Sequence, residues 1–230
     1  LLESRGLGDV YKRQIWHSGS PMGMLLNSIK GVRILVPRNM TQAAGMYNTL
    51  LECNEPSLII EPLNSYRLKE KMPSNLGEFR VPLGVIEHIQ NGEDITVVSY
   101  GSTLRIVEKA CIELKSHGIS VDLIDVQTLI PFDTNNEIIS SLKKTNKLII
   151  VDEDYNGGAS AFILKKIIED QNGYEFLDSK PKTITSKDHR PPYGSDGDYF
   201  SKPSLDDIFE GIYNVMNEYD PNRYPLNFRS

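Results

Sequence analysis

The chain has 230 residues; 25 Lys and Arg against 31 Asp and Glu leave a formal charge of −6, and 39% of residues are hydrophobic, 24% charged and 8% aromatic. This is the composition of a globular protein, able to bury roughly 70% of its unfolded surface, and it excludes disorder, collagen and a disulfide scaffold. The acidic balance argues against nucleic acid as a partner, since Lys143-Lys144 and Lys165-Lys166 are isolated pairs on expected helix faces rather than a basic patch.

Residues 1–14 show no periodicity that continues past Ile15, and the run Gly8-Asp9-Val10-Tyr11-Lys12-Arg13-Gln14 looks like translated sequencing-adapter read-through. They are expected to be a non-native leader on the tail of a longer protein. From Ile15, Ser20 reads as the N-cap of a helix from Pro21 to Ile29, with Met22, Leu25, Leu26 and Ile29 at helical spacing. A short strand, Val32 to Val36, a helix, Thr41 to Cys53, and a second strand, Leu58 to Ile60, complete two αβ units of a parallel sheet. Between Leu63 and Gly92 the pattern loosens into a connector with one short strand, Val85 to Ile89.

A cleaner unit begins after Gly92. Ile95 to Tyr100 reads as a strand and Thr103 to His117 as a helix with Leu104, Val107, Ala110, Cys111 and Leu114 on one face, stopped by Gly118. Val121 to Asp125 and Leu148 to Val151 are strands around a helix from Asn135 to Lys144. Gly157-Gly158 opens a helix to Gln171, Thr183-Ile184 is a last short strand, and Ser204 with Asp207 caps a final helix to Glu218. The alternation predicts an α/β fold with a Rossmann-like, mostly parallel sheet. Cys53 and Cys111 both read as small apolar groups on helices, giving neither a disulfide nor a metal site, and fit a reducing cytoplasm. The longest apolar run, Leu148 to Val151, is far short of a membrane span, so no membrane association is expected.

Three places carry chemistry. His17, in Trp16-His17-Ser18-Gly19-Ser20-Pro21, stands on a small-residue loop before a helix, where an imidazole can act as acid or base toward an oxyanion; the plain alternative is an ordinary loop histidine. Asp152-Glu153-Asp154, between a buried strand and a glycine pair, lies at the carboxyl edge of the sheet, where open α/β folds bind ligands. Consecutive carboxylates do not converge on one ion, so a solvated edge is the expectation and no metal site is predicted. Asp188-His189-Arg190-Pro191-Pro192-Tyr193 reads as a rigid surface loop that can also close over a site or dock a partner, and His88 and His117 have no evident partners.

The blocks His17-Ser18-Gly19-Ser20-Pro21, Val32 to Arg38, Glu61-Pro62, Tyr66-Arg67, Pro82-Leu83-Gly84, Ser99-Tyr100-Gly101 and Asp125 to Asp133 occur in an order and spacing that resembles the beta subunit of thiamine-diphosphate-dependent 2-oxoacid dehydrogenases, of branched-chain or pyruvate type. The resemblance runs from Ile15 to about Tyr219. It implies the end of a parallel-sheet thiamine pyrimidine-binding domain over 15–66, a connector over 67–92 and a transketolase C-terminal-like domain over 93–230. It further implies decarboxylation of a 2-oxoacid and acyl transfer to a lipoyl group, with thiamine diphosphate and magnesium as cofactors of the complete enzyme and the protein orienting and protonating.

The resemblance implies an acid-base role for His17, with Ser18 and Ser20 positioning it. It also implies an alpha-type subunit or domain and a lipoyl acyltransferase core as partners, in a homo- or hetero-oligomer. The family's activating glutamate lies upstream of the histidine block, so the cofactor is not expected to bind this chain alone. A potassium loop of some members would fall at 50–55, where Leu-Leu-Glu-Cys-Asn-Glu lacks the expected ligands. A transketolase-like ketol transfer and a non-catalytic assembly module of the same fold are the competing expectations; the acidic run at 152–154 argues against a phosphorylated sugar.

Overall fold

The computed structural model describes residues 19–189 and 197–226. Helix α1 (Met22–Ser28) leads to strand β1 (Arg33–Leu35), α2 (Met40–Leu50) and β2 (Ser57–Ile59). After the 60–86 stretch come β3 (Glu87–Gln90), β4 (Ile95–Ser99), α3 (Leu104–Ser116), β5 (Val121–Asp125) and β6 (Thr128–Ile130). The remaining elements are α4 (Glu137–Thr145), β7 (Leu148–Tyr155), α5 (Ala159–Lys165), β8 (Lys182–Ser186), α6 (Gly197–Ser201) and α7 (Leu205–Tyr219).

A five-stranded sheet has the order β3-β5-β4-β7-β8, parallel except for the antiparallel edge strand β3. Its central strands β4 and β5 are buried at every position, the condition of a parallel sheet covered on both faces. One face packs Val97, Leu123, Ile149 and Val151 against two helices, through Leu104, Val107 and Leu114 of α3 and Phe209 and Ile212 of α7. The opposite face packs Val98, Ile124, Leu148 and Ile150 against α4 and α5, and also against Met22 and Leu26 of α1 and Ile34 of β1. This second cluster draws on residues from both sides of the 67–92 stretch. Each fully buried Leu, Ile or Phe contributes roughly 1.5–3 kcal/mol relative to exposure.

The smaller sheet has the order β2-β1-β6, with β1 and β2 parallel as expected from their αβ units. Its third strand, β6, pairs antiparallel with β1 although it directly follows β5 of the larger sheet. The turn between them places Gln127 at φ 54°, a left-handed conformation uncommon for a residue with a side chain. The sequence reading has no strand here, because β6 follows β5 after only two residues and is defined by its pairing with the distant β1.

Several boundaries differ from expectation for local reasons. Ser20 does not cap α1: Pro21 takes the cap position, and the Ser20 hydroxyl accepts only a long 3.4 Å bond from Met22 N. Asn39 caps α2, its side chain accepting from Gln42 N at 2.8 Å. Cys53 lies in the turn beyond α2 rather than on it, whereas Cys111 is buried on α3, where burial pushes its thiol up to about 12. Strand β7 continues four residues past the apolar run that marked it, and α5 ends in a π-helical turn, Lys166–Asp170. The Ser204–Asp207 capping box forms as expected. Among the described residues, no helix is long and apolar enough to cross a membrane.

Candidate functional site

His17 and Ser18 lie outside the described residues, as do Arg190, Pro191, Pro192 and Tyr193. Gly19 and Ser20 are described, and Gly19 arrives at the carboxyl edge of β7. There the expectation of solvated carboxylates is overturned: Asp152 and Asp154 are buried, and only Glu153 is partly exposed. Strand alternation places Asp152 and Asp154 on one face and Glu153 on the other. Backbone N–H groups and the Tyr100 hydroxyl satisfy the buried pair, which is why burial is tolerated.

Asp152 Oδ1 accepts from the Tyr100 hydroxyl at 2.5 Å and from Asp154 N at 3.0 Å, while Oδ2 accepts from Ser160 N at 2.7 Å. Ser160 is in the first turn of α5, whose N–H groups have no partner within the helix. Burial raises Asp152 to about 6 against these bonds, and burial beside that carboxylate holds the Tyr100 hydroxyl well above its ordinary value. Asp154 Oδ1 accepts from Tyr155 N at 2.8 Å, and its Oδ2 accepts from Gly23 N of α1 at 2.7 Å.

Glu153 points the other way and pairs with Lys202 at 3.3 Å. It lines a narrow cavity with Gly19, Tyr155, Ser186, Lys187, His189, Ser201 and Lys202. Gly19 of the histidine block and the loop containing Asp188-His189 therefore meet at one place. Their separation in sequence hid this from the residue pattern.

A second polar cluster joins the two sheets. Arg38, just beyond β1, makes a two-pronged pair with Glu87 of β3 at 2.7 and 2.9 Å and reaches Asp125 of β5 at 3.0 Å. Gln42 also donates to Glu87, at 3.0 Å, and Gln127 N donates to Asp125 at 2.9 Å. Burial pushes Asp125 up to about 7, with the Arg38 guanidinium opposing it. His88, without an evident partner in sequence, has Nδ1 3.1 Å from Asp122, which also accepts from Ser141 and pairs with Lys144 at 3.0 Å. These bonds hold the Asp122 carboxyl below its usual range although burial opposes them.

An open groove of about 650 Å³ between the end of α1 and Ile130-Pro131 is mostly apolar, walled by Leu26, Ile29, Val32 and Phe162, with Arg33 and Glu55 paired at its rim. Among the described residues, no group of three or more His, Cys, Asp or Glu side chains is placed to hold a metal ion.

Residues 84–202 match the family described as transketolase, C-terminal domain. A pyruvate dehydrogenase E1 component subunit beta from Acholeplasma laidlawii is 29% identical over 197 residues, covering 85% of this chain and 59% of that protein. A mitochondrial 2-oxoisovalerate dehydrogenase subunit beta 2 from Arabidopsis thaliana is 35% identical over 157 residues, covering 67% of this chain and 42% of that protein. The chain spans about half the length of these curated relatives. A split-gene transketolase solved as an inactive β4 tetramer has a TM-score of 0.69 at 17% identity, covering 87% of this chain and 62% of that one, a likeness of fold. With its five-stranded sheet and the matched residues agreeing, the chain belongs to the transketolase C-terminal domain family.

Proposed function

We propose that this chain works as part of a beta-type subunit of a 2-oxoacid dehydrogenase, within a longer protein that decarboxylates a 2-oxoacid and passes the acyl group to a lipoyl acceptor. The observation that carries the reading is the extent of the likeness: the alignment with a pyruvate dehydrogenase beta subunit runs over 197 residues, well beyond the matched 84–202. Strands β1 and β2 then belong to the end of a pyrimidine-type thiamine diphosphate domain over 15–66, with the 67–92 stretch a connector and 93–230, including β6, the transketolase C-terminal-like domain.

In this reading His17 moves a proton at the reacting carbonyl, and Ser18 and Ser20 hold its ring. Thiamine diphosphate with magnesium supplies the electron sink in the complete enzyme. The partners are an alpha-type subunit and a lipoyl acyltransferase core, in the cytoplasm.

The test is 2-oxoacid-dependent reduction of an artificial electron acceptor by the complete protein with its alpha-type partner, using pyruvate and branched-chain 2-oxoacids. Turnover is expected there and not from the 230-residue chain alone. His17→Ala is expected to lower kcat by about 10²–10⁴-fold, the usual worth of a positioned acid or base. Unchanged turnover in that variant would make the histidine structural and favour an assembly module, and activity only on phosphorylated sugars would favour ketol transfer.

A further inference from the structure

We propose that Asp154 is a positioning residue for the reaction, acting through the helix that follows the histidine block; this rests on the beta-subunit reading. Asp154 and Gly23 are 131 residues apart, yet Asp154 Oδ2 accepts from Gly23 N at 2.7 Å. Asp154 is 5% exposed, and its other oxygen is held by Tyr155 N, so the carboxylate is fixed on the strand side and the helix is what it fixes.

The backbones also approach closely. A Cβ on Gly23 would stand 2.8 Å from Gly158 Cα and 3.0 Å from Asp154 Oδ2, and a Cβ on Gly158 would stand 2.4 Å from the same oxygen. Glycine inside a helix costs roughly 0.5–1 kcal/mol relative to alanine, so its use in the first turn of α1 is accounted for by this contact. Helix α1 has no acidic residue in its own first turn. Asp154 supplies that carboxylate from another element. Gly19, four residues before Gly23, lines the cavity with Glu153 and Tyr155, so β7 flanks the entry to α1 as well as its first turn. His17 is six residues before Gly23 in sequence.

The test has two parts. In the 230-residue chain, Asp154→Ala is expected to abolish the exchange protection of the Gly23 amide, and Asp154→Asn, which keeps one acceptor oxygen for the two backbone donors Gly23 N and Tyr155 N, to retain part of it. In the complete protein, Asp154→Ala is expected to lower kcat/KM by on the order of 10²-fold, the scale of an ångström's misplacement, with the loss smaller in Asp154→Asn, which keeps one of the two acceptors.

A structural role would also lower activity, so the decisive measurement is the same substitution made in a His17→Ala background. There the further loss is expected to be less than about twofold, because residues that act as a unit are not additive. A further loss as large as in the wild type would overturn the proposal, as would unchanged turnover in Asp154→Ala. Absence of 2-oxoacid turnover in the wild-type complete protein would overturn the underlying reading, while the Gly23 exchange result would still judge the contact.

Discussion

Asp152 shows how the setting of one residue changes its chemistry. A carboxyl raised from 3.8 to about 6 binds a proton in the folded state that it has already lost in the unfolded chain between those values. Stability therefore falls as pH rises from about 4 to about 6, and the loss is complete above that window. The rise corresponds to about 3 kcal/mol. Asp152→Asn removes this titration, so urea unfolding of the two proteins from about pH 4 to about pH 7 is expected to show the wild type losing about that much relative to the variant. A constant difference across the range would mean that Asp152 is ionised throughout. The three residues Asp152 to Asp154 were legible as lying at a sheet edge, but the burial of Asp152 and Asp154 was not, since it depends on donors from Tyr100, Ser160 and Gly23.

Among the elements, α7 is the one most completely readable from sequence. Ser204 accepts from Asp207 N at 3.1 Å, and Asp207 accepts from Ser204 N at 2.9 Å, a reciprocal pair within four residues. Ser204→Ala is expected to cost about 1 kcal/mol, measured as a lower urea midpoint with an unchanged slope. Strand β6 is the opposite case. Its three residues pair with β1, more than ninety positions earlier, and the bond pattern that defines it is entirely long-range. The same contrast separates α1, whose apolar face was evident, from its cap, which proline displaced by one residue.

For the whole molecule, the joint between the two sheets rests on apolar packing and on Arg38. Its side chain is 18% exposed and faces the buried Asp125. Arg38→Met would leave that carboxyl without its cation, and breaking a buried pair from one side typically costs about 3–5 kcal/mol. The loss is expected to be larger at about pH 8 than at about pH 5, because Asp125, already at about 7, is protonated at the lower pH and needs no partner there. Equal losses in urea unfolding at both would show that the guanidinium acts only through its bonds to Glu87.

By itself the sequence determined the α/β class, the central buried strands and the helix faces, because these follow from apolar spacing within a few residues. It also carried the blocks that resemble the beta subunits, and the matched relatives agree with that likeness. Only the tertiary structure decided that β6 leaves its neighbours to complete the smaller sheet, that Asp154 holds α1, and that Arg38 meets Asp125. Those are contacts between residues far apart in the chain, and their energy comes from burial and hydrogen bonding that exist only once the sheets have packed.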